Sequence, residues 1–83
     1  MPRSFTDDQK KSIRIKLLEL GLELFGQHGF RKVSLDEVVQ RVGISKGAFY
    51  NFFSSKELYF MSVLEYMEAS LRSRYTHEIK FFG

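Results

Sequence analysis

Between positions 45 and 51 the chain gathers a hydroxyl, an ammonium group, two very small residues, a phenol and an amide: Ser45, Lys46, Gly47, Ala48, Tyr50 and Asn51. No nucleophile paired with a base lies among them. The set is cationic, rich in hydrogen-bonding groups and sterically open, which suits the edges of base pairs in the major groove of a duplex. Lys46 can reach guanine O6 or N7, and Gly47 and Ala48 let a backbone approach closely. Tyr50 can bond a phosphate or a base, and Asn51 a phosphate or adenine. Each has a plainer alternative: Gly47 as a packing position, Tyr50 lying on its own domain with its hydroxyl in water, Asn51 bonded only to water. Ser34 and Lys56 fall at expected helix starts, where free amides attract phosphate. Capping alone would account for Ser34, and ordinary solvation for Lys56.

These groups act together only if a helix carries them with one side turned outward. Val38, Val42, Ile44, Phe49 and Phe52 have the spacing by which two short helices joined at Gly43 bury a shared seam, the helix-turn-helix arrangement. With Phe49 inward, Tyr50 points elsewhere. Helix two is expected over 35–42, opened by a Ser34–Glu37 capping box with a Val33–Val38 staple and closed by Gly43. Ser45 caps helix three, over 46–52. Before them, a Thr6–Gln9 capping box with Asp7 and Asp8 starts helix one, over 7–27. Its inward stripe is Ile13, Leu17, Leu20 and Leu24, widened by Leu18, Leu22 and Phe25. Gly21 costs about 1 kcal/mol relative to alanine in mid-helix, so a second helix is expected to pack close there. Gly26 and Gly29 end the helix, with Gly29 the left-handed terminator. A Ser54–Glu57 box with a Phe53–Leu58 staple opens a long fourth helix with an inward face of Phe60, Leu64, Met67 and Leu71. Tyr75, Ile79 and Phe82 continue that spacing, and the apolar end at Phe81 and Phe82 reads as cut.

Eighty-three residues make one small all-α domain, with 43% hydrophobic content, nine phenylalanines and no strand-like alternation. There is no cysteine, so neither a disulfide nor a thiolate metal site is available. The net charge is only +3, but residues 29–56 hold five bases against two acids. That excess coincides with the helical pair, as a phosphate-backbone binder would require. No apolar run is long enough to cross a bilayer and no signal core leads the chain, so no membrane association and a cytoplasmic location are expected. His28 and His77 are isolated and no Gly-rich phosphate loop follows a strand, so no enzyme, metal or cofactor is expected. The rival reading is a helical protein-interaction module that docks a partner helix.

Leu17-Leu18, Leu24-Phe25, Gly29-Phe30, Val38, the run Gly43-Ile44-Ser45-Lys46-Gly47-Ala48-Phe49-Tyr50, Phe53 and Ser55-Lys56-Glu57-Leu58 together resemble the amino-terminal domain of the TetR (tetracycline repressor) family of bacterial transcription regulators. The resemblance covers nearly the whole chain and is most specific from Gly43 onward. It implies a homeodomain-like three-helix head over 1–56 whose third helix reads the major groove. Over 57–83 it implies a fourth helix leading to a carboxy-terminal domain, absent here, that dimerises and binds a small-molecule effector. The matching DNA-contact positions are Ser34, Ser45, Lys46, Gly47, Ala48, Tyr50, Asn51 and Lys56. The resemblance thus implies a ligand-responsive repressor, a homodimer on double-stranded operator DNA. Three positions depart from the family pattern: Val39 and Gly21, where alanine is usual, and Phe52, where a polar residue or histidine is common.

Overall fold

Each helix begins where a hydroxyl side chain can take up an otherwise unpaired backbone N–H. The computed structural model describes residues 5–82, with side chains as far as Ser73. It contains α1 (Asp7–His28), α2 (Leu35–Val42), α3 (Lys46–Phe52) and α4 (Lys56–Phe82), and no strand among the described residues. Thr6 and Gln9 form the full reciprocal box at the start of α1, with the Gln9 amide N–H donating to Thr6 Oγ1 at 3.1 Å and the Thr6 N–H donating to Gln9 Oε1 at 2.9 Å. The Ser34 box is only half made. The Glu37 N–H donates to Ser34 Oγ at 3.4 Å, while the Glu37 carboxylate pairs instead with Arg41 at 3.1 Å, one turn along.

Among the described residues, the two with positive φ are glycines at helix ends. Gly43 closes α2 in the left-handed conformation, φ 87° and ψ 34°, and its N–H donates to the Val39 carbonyl, a geometry that costs glycine no steric clash. Gly29 ends α1 at φ 83° but ψ 167°, so it turns the chain outward in an extended form rather than the left-handed helical one expected. Gly26 stays inside α1.

The start of α4 differs from the expected one. Ser55, not Ser54, is the cap, with its Oγ accepting the Leu58 N–H at 3.1 Å. Phe53 is the reason. It is buried as the C-cap of α3, its N–H donating to the Phe49 carbonyl at 2.9 Å. Pinned there, the chain uses Ser54 as the exposed link and Ser55 as the cap. No Phe53–Leu58 staple forms, because Leu58 remains 49% exposed and Phe53 packs against Tyr59 at 5.1 Å instead.

Tyr59 is the centre of the core. It is fully buried, its ring lies 5.5 Å from Phe25 and 5.1 Å from Phe49, and its hydroxyl donates to the Leu17 carbonyl of α1 at 2.5 Å. Burial pushes that hydroxyl's pKa well above the usual tyrosine range. The close approach expected at Gly21 is the same feature seen from α1: a Cβ there would lie 2.5 Å from Tyr59 Oη and 2.7 Å from Val63 Cγ2. A second tie between the two helices is the bond from the Tyr66 hydroxyl to Glu19 Oε2 at 3.2 Å. The inward face of α4 is therefore Tyr59 and Val63, flanked by the partly buried Phe60 and Tyr66. Leu64 and Leu71, expected to point inward, are 42% and 54% exposed. The helix carries apolar residues on two sides, and the side with an aromatic ring and a hydroxyl fits the concavity of Gly21. Tyr75, Ile79, Phe81 and Phe82 lie outside the described side chains.

Alanine is a better helix former than glycine by about 1 kcal/mol, yet overpacking a core costs about 1–3 kcal/mol. Gly21→Ala is expected to lower stability by about 1–2 kcal/mol in urea titration, and Gly21→Ala combined with Tyr59→Leu to recover part of the loss. A gain in stability from the single change would mean the two helices separate at little cost.

Candidate nucleic-acid interface

A seven-residue helix does not hold itself together in water, so α3 exists because of its surroundings. Ser45 Oγ accepts the Ala48 N–H at 3.0 Å at its start. On its inner side Phe49, with no exposed surface, packs edge-on against Tyr59 and lies 5.8 Å from Phe53. Val42, Ile44 and Phe52 complete the seam as partly buried residues. Val39 is in the core, its extra bulk over alanine absorbed by packing. Phe52, partly buried, serves the fold and offers no polar group.

Successive helical residues point about 100° apart, so anchoring Phe49 determines what faces water. Ser45, Lys46, Gly47, Tyr50 and Asn51 are all exposed, and Ala48 is half-buried. Tyr50 leans edge-on against Phe49 at 5.4 Å and still keeps 45% of its surface in solvent. A Cβ on Gly47 would meet only Ser45 Oγ, at 3.9 Å, so nothing in the packing requires a glycine at that position.

Ser34 caps α2 and Lys56 is the first residue of α4. Lys56 is no ordinary solvated lysine. Its Nζ sits 4.7 Å from the centroid of the Phe30 ring, a cation–π placement, and reaches the Arg31 carbonyl at 3.5 Å. The side chain thus ties the α1–α2 connector, which bears the exposed Arg31 and Lys32, to the fourth helix. Arg14 makes the corresponding contact over Phe53 at 4.9 Å.

One member of the surface was not legible in the sequence. Asp36 Oδ1 lies 3.0 Å from Lys46 Nζ, an ion pair from the first turn of α2 to the first residue of α3. The hydrogen bond to Asp36, then its charge, raises the Lys46 ammonium above the usual lysine range. The residues are ten apart across a turn, and no helical or strand spacing links them. Among the described residues there is no cluster of histidine, cysteine, aspartate or glutamate able to hold a metal ion, and no helix long and apolar enough to cross a membrane.

Two short helices meeting across a left-handed glycine, with the second held from behind and presenting a polar outer face, define a helix-turn-helix of the kind found in DNA-binding regulators. The chain belongs to the tetR family of bacterial regulatory proteins, whose family model matches residues 17–58, about half of its length. It is 44% identical over 50 residues to an uncharacterized HTH-type transcriptional regulator, YuxN of Bacillus subtilis, covering 60% of this chain and 17% of that protein. To the HTH-type transcriptional repressor NemR of Escherichia coli it is 36% identical over 63 residues, 76% of this chain and 32% of NemR. To the nucleoid occlusion factor SlmA of Haemophilus ducreyi it is 29% identical over 73 residues, 88% of this chain and 35% of SlmA. The chain therefore spans about a third or less of the length of these relatives. No solved structure is matched at a significant level.

Because the space beside Gly47 is open, Gly47→Ala is expected to raise the melting temperature, with a gain of about 0.5–1 kcal/mol, and Gly47→Val to leave the chain folded. A cooperative collapse of either variant in thermal melts would show that the fold itself needs the glycine.

Proposed function

We propose that this chain is the DNA-reading head of a transcriptional repressor in which α3 enters the major groove. Lys46, Gly47, Ala48, Tyr50 and Asn51 face the bases there. Ser34, Ser45 and Lys56 bond the phosphates on either side. Residues 1–56 form the reading unit, and 57–83 begin the connection to a carboxy-terminal domain that pairs two copies and binds a small-molecule effector in the cytoplasm. The observation that carries the reading is the two-sidedness of α3: Phe49 fully buried behind, and Lys46, Gly47, Tyr50 and Asn51 exposed in front. The name of NemR, a repressor, supports the sign of regulation.

Leu58, Met61, Leu64 and Leu71, all more than 40% exposed on α4, favour the second half of the proposal, since an apolar stripe in water marks a contact surface. The same stripe is what a general partner-docking module would show, and DNA titration separates the two. In a dimer, two such heads would address half-sites about one helical turn apart or a multiple of it. A single head would bind one half-site weakly.

Titration of a random duplex at two salt concentrations tests the core of this reading. Phosphate neutralisation gives a log–log slope of about −0.9 per contact, whereas a partner-docking domain gives no salt-dependent binding. Lys56→Met is expected to weaken binding to every duplex alike and to remove about one contact's worth of slope. Lys46→Met is expected instead to flatten base preference among duplexes selected from a random pool. Equal losses on selected and random DNA for both variants would take Lys46 out of base reading.

A further inference from the structure

The strongest unexplained feature of the surface is its acid. A carboxylate on a face meant for a polyanion weakens attraction, and an ion pair this exposed, 49% and 77% for the two side chains, adds little to stability. Asp36 suits the amino-terminal end of α2, but Glu37 beside it already supplies negative charge in that turn. Neither role calls for a contact with α3.

The two kinds of DNA surface treat the pair differently. A phosphate offers only acceptors. If Lys46 leaves to neutralise one, Asp36 loses its partner and its carboxylate is set against the phosphate charge. A base-pair edge offers both polarities, because in the major groove guanine presents O6 and N7 as acceptors beside the N4 amino donor of its cytosine. An ammonium has three donors. With one kept on Asp36, two remain for guanine, and the free lone pairs of the carboxylate can accept from the cytosine amino group.

We propose that Asp36 is a specificity-determining residue: held on Lys46, it forms a donor–acceptor unit that reads one G·C pair and that disfavours binding to phosphate alone. This rests on the DNA-binding reading above. The ion pair then has a use that stability does not supply, since it makes Lys46, the one cation of α3, a poor partner for random DNA and a good one for a base edge.

The test uses the full chain, its Asp36→Asn variant, a random duplex, and duplexes enriched from a random pool by each protein separately, with affinities taken per folded molecule. Asp36→Asn is expected to bind the random duplex several-fold tighter at low salt. Its preference for the wild-type-enriched duplexes over random DNA is expected to fall about tenfold, the size of one good base contact. The pool it enriches should lose a G·C pair that the wild type selects. Unchanged random affinity together with the same enriched bases would overturn the proposal while leaving salt-dependent binding by the wild type, and so the broader reading, intact. No binding by the wild type to any duplex would overturn both.

Discussion

The close approach of α1 and α4 at Gly21 is the constraint on which the rest of the structure depends. A missing side chain lets the Tyr59 ring reach the backbone of α1, where its hydroxyl finds the Leu17 carbonyl. The other side of that ring receives Phe49 and Phe53, the residues that seat α3 and end it. The position of the outward helix is thus set from the side opposite its own surface, through Tyr59 and Phe49. In this chain the glycine at position 21 leaves the space that the tyrosine hydroxyl occupies.

A consequence is that the residues proposed for recognition are largely not those that hold the fold. α3 owes its existence to Ser45, Phe49 and the α2 seam, while Lys46, Gly47 and Asn51 contribute little burial. Side chains that bury nothing can vary without unfolding the domain. A family built on this head can therefore change what α3 presents while holding constant what lies behind it.

Much of this was legible because short-range rules govern it. The spans of α2 and α3 follow from Ser34, Gly43 and Ser45, whose capping and turn chemistry acts within four residues. The outward set on α3 follows from the single choice of Phe49 as the inward residue. Where two local solutions were nearly equal, tertiary contact decided. Ser54 fits a capping box with Glu57 as well as Ser55 fits its place, and the burial of Phe53 chooses between them. In α4, Leu64 and Leu71 are as well spaced as Tyr59 and Val63, and only the concavity at Gly21 distinguishes the two faces. Gly21 signalled a close neighbour but could not name it. The Asp36–Lys46 pair lay beyond any periodic argument, because it spans a turn whose angle is a property of the packed fold.

The two lysines that flank this geometry differ in kind, and their present partners say how. Lys56 is aimed by the Phe30 ring, and its bond to the Arg31 carbonyl, at 3.5 Å, is at the long limit for such a contact. Exchanging that carbonyl for a phosphate would give up little and could leave the ring contact in place, so in the proposed mode the lysine is already oriented before DNA arrives. Lys46 lies beside a carboxylate at 3.0 Å, in a pair exposed enough to add little stability. A phosphate that drew Lys46 away would nonetheless leave Asp36 facing a polyanion, whereas a surface that also offers the acid a donor keeps both groups partnered. In the proposed mode a positive surface is not uniformly receptive, because the partner each lysine already holds separates attachment by Lys56 from selection by Lys46.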